Sequence, residues 1–221
     1  MDDFFAYVKE HGCPLDFFSI HAYDTAGLPL RPDGVVAYGK YCRENLDRIG
    51  YKHAEISMNE WLPRHTGEPG SAKQAAMIAA LLMAFQNSDF DSSMIYDGRV
   101  GMGLYSPLFS PETMKPRRAY WAMCNFNELY RLGRQSAIDG LPEGVHAIAA
   151  TDGKGVGKVF AANVGEGDAE FEVAVPAGWR LFSAQLTDEC HFNTVVAPPK
   201  TLPADSFAVF TFVKTSNAED R

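Results

Sequence analysis

The sequence predicts an α/β region followed by an all-β region, and three observations lead to this fold class. Helical and strand patterns alternate over residues 1–136. After Gly140, short β-rich segments follow one another at a spacing of roughly ten residues, with turn signals between them. The length of 221 residues is enough for one large or two small domains. We therefore expect parallel strands with helical crossovers over 1–136, a small antiparallel β-sandwich over 137–214 and a polar tail over 215–221.

Four segments have the helical spacing of apolar residues. In the first, Phe4, Phe5 and Val8 form one stripe, and Gly12 follows as a stop signal. In the third, Ser71 is a suitable N-cap. The predicted helices are Asp2–Glu10, Val35–Ile49, Ser71–Phe85 and Arg117–Leu132.

The strand predictions rest on short apolar runs bounded by Gly, Pro, Asn and Asp. In the α/β region these runs are Leu15–Tyr23, Ala54–Trp61 and Ser93–Asp97. In the β-rich region they are Val145–Thr151, Lys158–Asn163, Ala169–Val175, Arg180–Thr187, Phe192–Val196 and Phe207–Val213.

Polar and aromatic residues close all three strands of the α/β region. They are His21, Tyr23 and Asp24 on the first strand, Asn59, Glu60 and Trp61 on the second, and Tyr96 and Asp97 on the third. Because the carboxyl ends of parallel strands meet at one edge of a sheet, this edge is the expected binding site. A Glu at a strand end is often only solvated, so Glu60 alone does not define a catalytic site.

Composition excludes several classes of function. The net charge of −8 and the lack of a basic run argue against a nucleic-acid partner. No apolar run approaches the roughly 20 residues that cross a bilayer, and the acidic start is unlike a signal peptide, so we expect no membrane association and a cytoplasmic location. The four scattered cysteines favour neither a disulfide framework nor a metal site, and we expect no cofactor.

Three stretches resemble retaining glycoside hydrolases of clan A, and family 39, the β-xylosidase and α-iduronidase group, most of all. They are Asp16–Tyr23, Ile56–Trp61 and the closing run Leu202–Val209. The resemblance implies a (β/α)₈-type barrel followed by a β-sandwich, but this chain has only the last three βα units of such a barrel. By position, Glu60 then matches the catalytic nucleophile, and His21 and Tyr23 match residues that line the sugar site.

The general acid/base of that family is the Glu of an Asn-Glu pair on barrel strand four. Asn59-Glu60 is itself such a pair, but chain order argues against strand four. Only one further strand–helix unit separates Glu60 from the β-rich region, whereas strand four requires four more. Nothing upstream in this chain supplies the acid/base.

The remaining strand-end residues have alternative roles. Asp24 and Asp97 could bind sugar hydroxyls, substitute for the acid/base, or only cap loops. Tyr23, Trp61 and Tyr96 could stack on a sugar ring, although Trp61 is equally well explained as a core residue.

A partial barrel leaves strand edges without partners, so we expect a homo-oligomer or an N-terminal partner chain that completes the barrel. The leading hypothesis is a retaining glycosidase, or its C-terminal portion, that acts on a carbohydrate and is weak or inactive alone. Two alternatives remain, namely a non-catalytic carbohydrate-binding or assembly module and an unrelated open α/β domain.

Overall fold

The computed structural model describes residues 1–24, 30–100 and 105–215. The helices are α1 (Asp2–His11), α2 (Pro32–Arg48), α3 (Ala72–Gln86) and α4 (Arg118–Tyr130). The strands are β1 (Phe17–Tyr23), β2 (Glu55–Leu62), β3 (Ser92–Ile95), β4 (Arg134–Ser136), β5 (Val145–Thr151), β6 (Val156–Asn163), β7 (Ala169–Glu170), β8 (Trp179–Thr187), β9 (Thr194–Val196), β10 (Thr201–Leu202) and β11 (Ser206–Lys214). None of the helices in these ranges is long and apolar enough to cross a membrane.

The chain forms two compact units. The first consists of residues 1–65 and 84–96, and the second of residues 66–83 and 97–221. The predicted division at residues 136 and 137 follows the change of secondary-structure pattern, and it stays a prediction. Residues 216–221, most of the predicted polar tail, lie outside the described ranges.

Local signals explain where the helices begin and end. Helix α1 has Asp2 and Asp3 in its first turn and ends at Gly12, whose φ of 57° is in the left-handed region. Helix α2 begins at Pro32, three residues before the predicted start, because proline suits the first helical position. At the start of α3, the Ser71 hydroxyl accepts the N–H of Gln74 at 3.2 Å, as its predicted capping role requires.

The first unit contains a three-stranded parallel sheet in the order β1-β2-β3. One face is buried and includes Ile56 and Met58, both fully buried. The opposite face is open, because Phe17 is 61% and Met94 is 57% exposed. The sheet is therefore not closed into a barrel.

The second unit contains a six-stranded antiparallel sheet in the order β4-β5-β6-β11-β8-β9 and a separate ribbon of β7 and β10. Helix α4 packs on β5 and β6. The apolar core includes Ala161, Phe210 and Phe212 from the large sheet and Leu202 from β10. Both faces of this sheet therefore carry buried apolar side chains.

Strand β7 is much shorter than the predicted Ala169–Val175. It pairs only with Thr201 and Leu202, and Pro198, Pro199 and Pro203 surround this short partner. Because strand pairing cannot extend beyond the partner strand, β7 ends at Glu170, which pairs with Thr201 of β10. Strands β4 and β10 were not predicted, since two or three residues give no periodic signal.

Candidate active site

A bulge in β2 determines which way Glu60 faces. Against β1, Met58 pairs with Ile20 and Glu60 with His21, so Asn59 is an extra residue. The pairing of β2 with β3 is irregular over the same stretch. Strict alternation would put Glu60 on the buried face with Ile56 and Met58, but the extra residue moves it to the open face.

Two side chains from β1 contact the Glu60 carboxylate. The Tyr23 hydroxyl donates a hydrogen bond to Oε1. The His21 Nε2 lies 3.2 Å from Oε2, and the Glu60 and His21 side chains are 27% and 54% exposed. One polar group therefore faces each carboxylate oxygen, and the carboxylate remains accessible from the open side of the sheet.

Aromatic rings surround this contact. The Tyr23 and Tyr96 rings meet edge to face with 6.2 Å between their centroids, and the His21 ring lies 6.4 Å from that of Tyr23. The Arg64 guanidinium lies 4.9 Å from the centre of the Tyr23 ring. Since β2 runs between β1 and β3, the two tyrosines reach toward each other across the strand that carries Glu60.

Burial raises the pKa of Tyr23 above its usual value, and the hydrogen bond to Glu60 raises that pKa further. The phenol therefore stays neutral over the physiological range and keeps its proton as a donor. A neutral phenol hydroxyl that donates to one oxygen of the Glu60 carboxylate favours a single orientation of that carboxylate.

Asp24 closes β1 and is fully buried. Its two oxygens accept the backbone N–H groups of Arg64 and His65, at 2.5 and 2.7 Å. The Asp24 carboxylate thus ties the end of β1 to the segment after β2, which is the loop-capping alternative that the sequence also allowed. Contact with a sugar hydroxyl would require this carboxylate to leave its buried position.

Trp61 and Asn59 flank Glu60 in the chain but lie in different environments. Trp61 is fully buried, and its ring packs against Phe85 with 5.0 Å between centroids. Among the described residues, its Nε1 has no hydrogen-bond partner. This is the core role that the sequence also allowed, whereas Asn59 is exposed and free to meet a ligand.

Asp97 belongs to the second unit and is 7% exposed. Its carboxylate accepts hydrogen bonds from the Arg99 guanidinium, at 2.6 Å from Nη2 and 2.9 Å from Nε. Sequence reasoning missed this local ion pair, although an Asp and an Arg two residues apart are a visible signal. It also missed Arg64, whose contact with Tyr23 depends on the course of the chain after Pro63.

Within the described ranges, no three His, Cys, Asp or Glu side chains are grouped so that they could hold a metal ion. What the described geometry does provide is an oriented carboxylate with two polar neighbours.

No protein-family model and no curated protein sequence matches this chain. Solved structures do. A glucosidase from Croceicoccus marinus is similar with a TM-score of 0.73 and 16% identity, over 97% of this chain and 57% of that one. A family 39 β-xylosidase from Caulobacter crescentus matches with a TM-score of 0.61 and 16% identity, over 96% of this chain and 54% of that one. A family 44 xyloglucanase from Paenibacillus polymyxa matches with a TM-score of 0.61 and 12% identity, over 95% and 49%.

These similarities confirm the resemblance predicted from the sequence, because the matching structures are clan A glycoside hydrolases and include a family 39 β-xylosidase. At such low identity the match concerns the fold. The chain spans only 57% and 54% of the glucosidase and the β-xylosidase, respectively. Its fold is thus the α/β fold of the C-terminal part of glycoside hydrolase barrels.

Proposed function

We propose that this chain is the C-terminal portion of a retaining glycoside hydrolase and that Glu60 is its nucleophile. The observation that carries the proposal is the Glu60 carboxylate at the end of a parallel strand, open to solvent and contacted by Tyr23 and His21. In the proposed reaction, the carboxylate attacks the anomeric carbon, the leaving group departs, and water hydrolyses the covalent glycosyl-enzyme.

Of the predicted substrate-binding residues, four are accessible enough to meet a sugar. They are His21, Tyr23, Asn59 and Tyr96. Asp24 and Trp61 are buried and stabilise this strand end, Asp24 through its hydrogen bonds to backbone N–H groups and Trp61 through its packing against Phe85. Asp97 stays a candidate for a sugar hydroxyl, with its carboxylate held by Arg99.

The finer fold proposal is that β1, β2 and β3 are strands six to eight of a (β/α)₈-type barrel, followed by a small β-sandwich. The missing strands and the acid/base would come from an N-terminal polypeptide or from another copy of the chain. Two features support this proposal, namely the exposed apolar residues on the open face of the sheet and the partial coverage of the similar enzymes.

A fluoro-sugar with a good leaving group tests Glu60 directly. The dinitrophenyl 2-deoxy-2-fluoro-β-glycosides of xylose and glucose need no protonation of the leaving group, so they report on the nucleophile without the acid/base. We expect mass spectrometry to find the sugar on Glu60. Glu60→Gln should abolish labelling, and Glu55→Gln, an exposed change at the start of the same strand, should not. Labelling of another carboxylate in the wild-type chain would overturn the assignment.

The hydrogen bond from Tyr23 should accelerate this labelling. Tyr23→Phe keeps the ring but removes the donor that orients the Glu60 carboxylate, so attack from a less well oriented carboxylate should be slower. The matched control is Tyr41→Phe, which removes a tyrosine hydrogen bond to Asp2 at 2.7 Å. Equal labelling rates for the two variants would show that Tyr23 does not assist Glu60.

A second candidate function is a carbohydrate-binding or assembly module without catalysis. It is favoured by one observation, which is that both other strand-end carboxylates are already engaged, Asp24 by backbone N–H groups and Asp97 by Arg99. Binding of a xylo- or cello-oligosaccharide without any labelling of the wild-type chain would support this function instead.

A further inference from the structure

The β-rich unit contains an apolar groove that the proposed glycosidase site does not use. Its volume is about 540 Å³, and Ala149, Gly157 and Val159 of β5 and β6 contribute to its lining. Trp179 and Phe212 also line it. A Cβ on Gly157 would lie only 3.5 Å from the Trp179 ring, so the ring lies directly against β6. Because several lining residues are small, the groove has room for an additional segment of polypeptide.

The polypeptide beside the groove has the pattern of a strand but lacks a strand partner for most of its length. After β7 ends, Phe171 still donates its N–H to the carbonyl of Lys200 at 2.9 Å. Phe171 and Val173 then pack on the core, whereas Glu172 and Ala174 are exposed. This alternation over residues 171–174 is typical of an edge strand. In the described residues, however, the ladder of β7 ends at Glu170 apart from this one further bond.

Charge on the groove favours one kind of occupant. Asp139, Glu170 and Glu172 are among its lining residues. Lys158 also lines it but is ion-paired with Glu128. An occupant with apolar groups toward the groove and cationic groups at its acidic margin therefore fits best.

We propose that this groove receives an additional β-strand, which pairs with residues 171–175 and alternates apolar residues facing the sheet with basic or neutral residues facing outward. Such an added strand gains main-chain hydrogen bonds from the edge and specificity from its alternate side chains. We assign it to the polypeptide that supplies the rest of the enzyme, because this chain spans only 57% of the glucosidase that it resembles. That source rests on the proposed function, whereas the strand site does not involve Glu60.

The test uses the full chain and a heptapeptide of alternating Lys and Val with blocked ends. Hydrogen exchange followed by NMR should show that the amides of Glu172 and Ala174 exchange about tenfold more slowly with the peptide present, because they point to the edge opposite the Phe171 N–H that bonds Lys200. A peptide of the same composition, with its Lys and Val residues in separate blocks, should have no effect. Ala149→Phe, which fills the groove, should abolish the protection. Val195→Phe, at a 69% exposed site on the same sheet but outside the groove lining, should retain it.

Three outcomes would overturn the proposal. One is unchanged exchange at Glu172 and Ala174 with saturating peptide, while β6 and β11 remain fully protected. Another is equal protection by the block peptide, or protection by xylohexaose, which would indicate a charge effect or a sugar site. The last is protection that rises with protein concentration alone, which would assign the groove to a second copy of the chain. Fluoro-sugar labelling of Glu60 is independent of these results, so the two proposals can fail separately.

Discussion

The parallel sheet of the first unit and the antiparallel sheet of the second differ in how completely they are covered. In the antiparallel sheet, the fully buried Phe160 packs against Phe207 with 5.7 Å between centroids, and Phe210 is buried in the apolar core. In the parallel sheet, Phe17 and Met94 are more than half exposed on the open face. The open face is also the one that carries Glu60. The contrast teaches that the candidate site lies on the part of the chain whose packing is least complete.

The largest expected effect concerns the antiparallel sheet of the second unit, called the covered sheet below. Phe207→Ala removes a side chain that is 1% exposed and leaves a cavity, so it should reduce the free energy of unfolding by about 3–5 kcal/mol. Phe182→Ala, at a 63% exposed site on the neighbouring strand of the same sheet, is the control and should cost far less. Urea denaturation followed by circular dichroism measures both. Equal losses would mean that the two sites are packed alike in solution.

An intermediate effect is expected on the open face. If exposed Phe17 and Met94 mediate association, the chain should form concentration-dependent oligomers in sedimentation experiments. Burial of one such side chain is worth about 1.5–3 kcal/mol, so Phe17→Ser or Met94→Ser should weaken association roughly tenfold to hundredfold.

The control for association is Phe182→Ser, because Phe182 is just as exposed but lies on the covered sheet. This variant should associate like the wild type. A chain that sediments as a monomer at every concentration would contradict the expectation of a homo-oligomer.

The smallest effect is on the pH dependence of stability, and it differs between the two units because one pKa is lowered and the other is raised. Three backbone N–H groups, those of Gly155, Val156 and Lys154, lower the pKa of Asp152 in the second unit from 3.8 to about 2. A depressed pKa stabilises the fold above the unfolded value and loses that contribution as the pH falls through about 2. Asp152→Asn keeps an accepting oxygen but cannot ionise, so its stability should fall less than that of the wild type between these values.

The first unit should respond at the alkaline end instead. The raised pKa of Tyr23 gives a stability contribution that is complete below its unfolded value of 10.0 and is lost as the pH rises toward the folded value. Thermal unfolding across both ranges, compared with Tyr23→Phe and Asp152→Asn, tests the pair. If stability depends on pH in the same way in a variant and in the wild type, the substituted residue does not contribute to the pH dependence.

Sequence reasoning recovers those features that depend on neighbours in the chain. The helices are visible in their apolar spacing and in signals such as Gly12 and Ser71, so their predicted ends lie within a few residues of those observed. The position of His21, Tyr23 and Glu60 at one end of the sheet follows from the parallel pairing of β1 and β2. These features need only local periodicity and one topological rule, whereas the face on which Glu60 lies depends on the bulge at Asn59.

Features that depend on residues far apart in the chain cannot be predicted in this way. The Asp24 carboxylate is occupied by N–H groups some forty residues away, and no local pattern encodes that bond. The strand pattern at 169–175 is correct in its alternation, but the length of β7 depends on a partner of two residues, β10. The bulge at Asn59 is hidden because an extra residue leaves no mark in composition.

That single extra residue has a consequence for how this strand end can change over evolution. In a regular strand two consecutive residues point to opposite sides, so only one of them can meet solvent on a given face. Here Asn59 is exposed and Glu60 is partly exposed, while Trp61 resumes the buried series. The extra residue therefore places two consecutive polar side chains at the end of β2 without replacing a buried apolar residue. A gain or loss of one codon at this point would alter the number of groups at the site while the hydrophobic layer beneath stays the same.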